Sequence, residues 1–158
     1  TAILVSASLQ IGALSGGAKE EEAEKLARVG KDLGIAFQLQ DDILDVYGSS
    51  EKFGKQKGGD IVSNKKTFLL LKALELSKLN HYKHEELLQW VHAPEFDPIE
   101  KVSAITDIYD FLNVRKIAEE EMKKYYQQAL TTLKNLTVNE NKKKELVEFT
   151  DSLMVRET

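Results

Sequence analysis

The chain has 158 residues, 42% of them hydrophobic and 30% charged, with a formal net charge of -4. That is enough chain for one domain with its own core, and it excludes a disordered segment or a dedicated nucleic-acid binder, which would carry a basic stripe. Cysteine is absent, which excludes disulfides and thiolate metal sites and is compatible with the expected cytoplasmic location. No apolar run reaches the ~20 residues of a membrane helix, so no membrane span is expected.

In chain order, Ile3, Leu4, Ala7, Ile11 and Leu14 recur at helical spacing, and Ser15-Gly16-Gly17 ends the first predicted helix. This stretch lacks the basic lead of a signal peptide. It also starts at Thr1 inside an apolar pattern, without a cap, so further chain is expected ahead of it. Glu20 to Glu22 and Glu24 open a second helix, since negative charge suits a first turn. Leu26, Val29, Leu33, Phe37, Gln40, Leu44 and Val46 carry it to a break at Gly48-Ser49-Ser50. Gly30 and Gly34 inside it each cost ~1 kcal/mol of helix propensity, for which a close neighbouring helix or a kink would account.

A polar loop with glycines at 48, 54, 58 and 59 follows, and Asp60 reads as the cap of a helix to about Leu79. Further helices are expected from His81 to His92, from Asp97-Pro98 through Val102 to Leu112, from Asn113 to Leu136, and from Asn139 to about Glu157. No strand alternation, repeat or low-complexity tract stands out. The expectation is a single all-α domain over residues 1–158, a bundle of six or seven helices.

The most informative stretch is Gln38-Leu39-Gln40-Asp41-Asp42-Ile43-Leu44-Asp45. On a helix Asp41 and Asp45 are four apart and share a face, with Gln38 three residues before Asp41. Such carboxylates repel one another unless a hard cation sits between them. Magnesium takes oxygen ligands, keeps several waters and binds through one or two carboxylates plus substrate phosphates. Acidic residues on a soluble helix are most often a solvated face. Against that stand the apolar setting between Phe37 and Val46, the glycines in the same helix, and the cations Lys55, Lys57, Lys65 and Lys66 that follow. A lysine ammonium is a compact point charge with three donors, suited to a metal-bridged diphosphate.

Aspartates, then a Gly/Lys loop, then Asp60 and Lys65 is an ordered set. Gly34 to Val46 resembles the second aspartate-rich region of the trans-polyprenyl diphosphate synthases, the family of farnesyl and geranylgeranyl diphosphate synthases. Phe53-Gly54-Lys55 through Gly58, Asp60 and Lys65-Lys66-Thr67 resembles the basic segment that follows it. Thr1-Ala2-Ile3-Leu4 with Gly12-Ala13 and Gly16-Gly17-Ala18 is similar to the helix that begins at the family's Lys-Thr motif, whose lysine would precede residue 1. Leu153-Met154-Val155-Arg156 is also family-like.

The resemblance implies the C-terminal portion of an isoprenoid-synthase-type helical fold. It implies Mg2+, with Asp41 a direct ligand and Asp42 and Asp45 holding metal-bound waters or its geometry. Lys55 and Lys65 would contact the allylic diphosphate, and Thr1 and Gln38 would sit near the reacting carbons. The implied reaction is head-to-tail condensation: diphosphate leaves, an allylic cation forms, the double bond of isopentenyl diphosphate attacks it, and proton loss completes the step. A homodimer is implied, with the first helix near its interface.

Phe68-Leu69 stands where bacterial relatives commonly have Tyr-Pro. The family's first aspartate-rich motif and the arginines after it lie outside these residues, so the chain alone is expected to be inactive and its product length is not legible. The alternatives are a terpene cyclase or squalene synthase relative, a non-catalytic subunit of the same fold, and a plain partner-binding helical domain. The GK…GxD…K order and the intact aspartates and lysines favour the chain-elongating enzyme. His81, His84 and Glu85 lack a further partner at zinc-site spacing, Lys142 to Lys144 read as a solvated first turn, and Trp90, Tyr125 and Tyr126 read as packing residues.

Overall fold

The computed structural model describes residues 1–48 and 57–154, and among these every regular element is helical. They are α1 (Ala2–Ser15), α2 (Glu20–Tyr47), α3 (Gly59–Val62), α4 (Phe68–Ser77), α5 (His81–His92), α6 (Pro98–Phe111), α7 (Val114–Lys134) and α8 (Glu140–Met154). The all-α expectation holds. Lys55 and the Phe53-Gly54 segment lie outside the described residues, as do Val155 and Arg156. Packing divides into two compact units: one is Thr1–Gln40 with the residues from Glu120 on, the other is Asp41–Glu119.

The first unit is centred on Val29, Leu33, Ala129, Leu133 and Leu136, with Leu9, Leu26, Tyr126, Leu146 and Val147 packed around them. The glycines of α2 are here because α1 lies directly on them. A Cβ on Gly30 would stand 2.7 Å from the Val5 carbonyl oxygen, and one on Gly34 would stand 2.4 Å from the Ala2 Cα. Close approach, rather than a kink, is therefore their reason. The outer side of α1 exposes Ile3, Leu4, Ile11 and Leu14.

Glu22 ties the ends of this unit together by accepting from the Thr137 amide at 2.9 Å. Tyr126 packs on the core and donates to Asp151; burial, then that carboxylate, pushes its phenol up to about 12. In the lysine run at 142–144, Lys142 and Lys144 are exposed as read, and only Lys143 departs from the solvated reading. Lys143 is buried, and its ammonium donates to the Lys134 carbonyl at 3.1 Å, serving the unpaired carbonyls at the end of α7.

Asp32 illustrates a cost carried by this unit. Burial pushes its carboxyl above the usual range, with Lys31 partly offsetting the effect. The folded chain then holds this proton more tightly than the unfolded chain does. The cost to stability is absent below the unfolded pKa, grows as pH rises, and is complete above the folded pKa. Asp32→Asn is expected to raise stability at pH 7 by a few tenths of a kcal/mol, because solvent still screens the group, and to leave it unchanged near pH 3. Urea titrations at the two pH values would show it; equal gains at both would contradict the assignment.

In the second unit α3 packs on α6, and α4, α5 and α6 pack on one another. Ile61, Leu69, Leu70, Ala73, Leu87, Ile105, Ile108 and Tyr109 are buried. The expected helix from Asp60 to Leu79 is corrected here to two. Asn64 turns left-handed at φ 51°, while the Lys65 amide bonds the Asp60 carbonyl at 2.9 Å and the Asn64 amide bonds the Ile61 carbonyl at 3.1 Å. That is a Schellman stop. The chain then restarts at Thr67, whose buried hydroxyl accepts from the Leu70 amide at 3.2 Å. The remaining helix starts follow the caps read from sequence: Asp97 accepts from the Ile99 and Glu100 amides ahead of Pro98, and Asn139 accepts from the Asn141 amide. Asn113 differs, since it sits at φ 54° as the corner that ends α6 and begins α7.

Candidate active site

The C-terminal turns of α2 bring Asp41, Asp42 and Asp45 into the second unit with different surroundings. Helical spacing puts 41 and 45 on one face and turns 42 inward. Asp42 is 5% exposed, while Asp41 and Asp45 are half-buried. Asp42 accepts from the Lys65 ammonium at 3.4 Å and from the Phe68 amide, the first of α4, at 3.4 Å. It thus puts negative charge at the positive end of a helix. Asp45 accepts from the Asp60 amide at 3.0 Å.

Gly58 packs back on α2, its amide bonding the Asp45 carbonyl at 2.8 Å. Gly58 has φ 76°, and Val102 fills the space where a side chain would project, at 2.5 Å from a built Cβ. This glycine therefore makes a packed corner.

Lys65 connects the parts. Its ammonium lies 2.7 Å from Asp60 Oδ2 and 3.4 Å from Asp42 Oδ1. The bond to Asp60 is the main reason its pKa is raised, so it stays cationic at any physiological pH. Burial raises the Asp45 carboxyl, partly offset by its bond from the Asp60 amide, with the charges of Asp60 and Asp42 adding to the rise. Desolvation, then the negative charges of Asp60 and Asp42, push the buried Tyr109 phenol well up, so it remains neutral.

Among the described residues no three carboxylate or imidazole groups converge as a ready-made metal cage. Magnesium in general needs few protein ligands where phosphate oxygens and waters complete its shell. Asp41 is half-buried on α2; Asp42 accepts from Lys65 and Phe68, and Asp45 accepts from the Asp60 amide. In the first unit, Thr1 and Gln38 come together: the Thr1 hydroxyl donates to Gln38 Oε1 at 3.3 Å. Lys57 is exposed. His84 Nδ1 pairs with the Ser77 hydroxyl at 2.8 Å.

Comparison with known proteins decides the family. The polyprenyl synthetase description matches residues 1–109. The chain belongs to the polyprenyl synthetase family.

All seven residues singled out in the sequence lie inside the matched region. A crystal structure of a geranylgeranyl pyrophosphate synthase aligns with a TM-score of 0.88 and 36% identity, covering 100% of this chain and 49% of that one. The enzyme from Corynebacterium glutamicum, solved in complex with isoprenyl diphosphate and magnesium, aligns with a TM-score of 0.84 and 25% identity, over 97% of this chain and 43% of that one. Among curated relatives, the chloroplastic geranylfarnesyl diphosphate synthase of Leucosceptrum canum is 41% identical over 73% of this chain and 31% of its own length. The chloroplastic geranylgeranyl pyrophosphate synthase 7 of Arabidopsis thaliana is 47% identical over 49% and 22%. The chain thus spans about half of the solved polyprenyl synthetases and a third or less of these curated relatives.

Sequence reading missed three polar residues of this family member's second unit. Asn64 carries the corner that ends α3, and its isolated place in an expected helix was the available signal. Lys101 is fully buried; with Ile105, Ile108 and Tyr109 it occupies an apolar helical stripe, where a lysine is out of pattern. Tyr47 donates to Asp110 at 2.8 Å under the Arg115 guanidinium, 4.8 Å from the ring centre. That pairing joins residues 63 apart and has no local signature.

Proposed function

We propose that the full-length protein is a magnesium-dependent trans-prenyltransferase that condenses isopentenyl diphosphate with an allylic diphosphate in isoprenoid biosynthesis. Its products are of the short-chain, farnesyl or geranylgeranyl type. The observation that carries this reading is the Lys65 ammonium, held between Asp60 and Asp42 beside the aspartate ladder of α2. In this proposal residues 1–158 are one helical domain, the C-terminal half of the synthase, and are inactive alone. The first aspartate-rich motif belongs to the other half.

Asp41 would hold the metal, with Asp42 and Asp45 fixing its surroundings. When bound, magnesium supplies positive charge to the departing diphosphate. Lys65 and Lys55 bind the same diphosphate and oppose its developing charge, an electrostatic contribution that needs no rearrangement during the step. Asp60 keeps Lys65 charged and aimed. Thr1 and Gln38 act as a pair near the reacting carbons. The homodimer is part of the proposal and is supported by the exposed apolar side of α1.

No described helix is long and apolar enough to cross a membrane. A cytoplasmic location is proposed; names of plant relatives place those proteins in the chloroplast, and fractionation of source cells decides the matter. The function is tested by assaying the full-length protein and this chain with isopentenyl diphosphate and five- to fifteen-carbon allylic diphosphates, with and without magnesium. Activity is expected only from the full-length protein with magnesium, and product length would name it. Inactivity of both, with diphosphate binding indifferent to magnesium, would leave a helical partner-binding domain.

A further inference from the structure

Lys101 is a fully buried cation in α6, and none of its contacts is a carboxylate among the described residues. Its ammonium donates to Asn64 Oδ1 at 2.8 Å and lies 3.9 Å from the centre of the Phe96 ring. A buried charge with neutral partners is expensive to keep, and an apolar residue would fill this stripe more simply. Asn64 is equally committed. Its backbone is the left-handed corner of the Schellman stop, where glycine is the easier residue, and its side-chain amide donates to the Val91 carbonyl at 3.0 Å. The corner is thereby fastened to α5 on one side and to α6 on the other. The next residue is Lys65, whose amide closes the same stop on the Asp60 carbonyl and whose ammonium reaches Asp60 and Asp42.

The geometry points to Lys101 and Asn64 as positioning residues that fix the backbone from which Lys65 meets a diphosphate, although neither touches the substrate. This rests on the assignment of Lys65 as a diphosphate ligand given above. Asn64 makes the inference testable without unfolding the protein. Asn64→Gly suits the left-handed corner and removes both side-chain bonds, whereas Asn64→Asp keeps an oxygen facing Lys101. Lys101→Met removes the charge and keeps the stem.

The experiment uses the full-length protein and two readouts: inhibition by inorganic diphosphate with magnesium, and the KM values of the two substrates. Asn64→Gly is expected to lower the melting temperature without unfolding the enzyme, because it leaves the buried Lys101 ammonium without its hydrogen-bond acceptor. In the folded enzyme it is expected to weaken inorganic diphosphate and raise the allylic KM by about tenfold while leaving the isopentenyl diphosphate KM unchanged. Asn64→Asp should stay within about twofold of wild type. Lys101→Met should match Asn64→Gly, with no further loss in the double variant. In a Lys65→Ala background Asn64→Gly should add nothing.

Asn64→Gly with wild-type diphosphate affinity, or a loss that adds in full to that of Lys65→Ala, would overturn the positioning role while leaving Lys65 as a ligand. If Lys65→Ala itself left diphosphate affinity intact, the assignment of Lys65 and this inference would fall together. If Lys101→Met does not fold, the Asn64 variants still decide the matter.

Discussion

Asp41→Ala in the full-length protein is expected to lower kcat by about a thousandfold or more. If Asp41 holds magnesium as proposed, its loss removes charge stabilisation that exists only as the diphosphate departs, so the effect falls on kcat. Asp41 is half-buried, and its carboxylate sits one helical turn from that of Asp45. Relief of that like-charge pair returns a few tenths of a kcal/mol. Asp42→Ala separates the two kinds of loss. Asp42 is buried and accepts from the Phe68 amide and the Lys65 ammonium, so its removal strands a helix-start donor and costs about 1–3 kcal/mol of stability as well. Rates at saturating magnesium and denaturant midpoints for both variants make the comparison. An Asp41→Ala enzyme with near-normal kcat would remove Asp41 from the metal site.

Gly34→Ala is expected to destabilise the chain by about 2–3 kcal/mol, although alanine is the better helix former by ~1 kcal/mol. The added Cβ meets the Ala2 Cα at 2.4 Å. That neighbour is backbone and cannot rotate away, so α1 has to shift as a body. The same shift draws Thr1 from Gln38, which it reaches at 3.3 Å. Gly12→Ala is the control, because nothing lies within 4 Å of its built Cβ and its φ is ordinary; there helix propensity acts alone and the chain should gain stability. Urea denaturation of the two variants settles the sign. A stabilised Gly34→Ala would mean that α1 does not rest on α2.

The aspartate ladder and its helix were legible because periodicity and residue chemistry are local properties. Spacing of four on α2 fixes which carboxylates share a face, and the caps at Asp97 and Asn139 announce helix starts within a few residues. The break after Val62 was not legible. Propensity favoured one helix to Leu79, and the outcome turned on a left-handed Asn64 clamped by Val91 and Lys101, residues 27 and 37 positions away.

The sequence by itself determined an all-helical chain, the family resemblance, and the set of aspartates and lysines proposed as its site, since these follow from pattern and residue type along the chain. Tertiary structure alone decided that Gly30 and Gly34 are seats for α1 and that Gly58 is a packed corner. It also decided that Asp42 and Asp45 are spent on holding Phe68, Lys65 and Asp60, and that a lysine sits in the core of α6. Each of these depends on what a distant segment places beside the residue, and burial and partnership are properties of the packed neighbourhood, which no local pattern encodes.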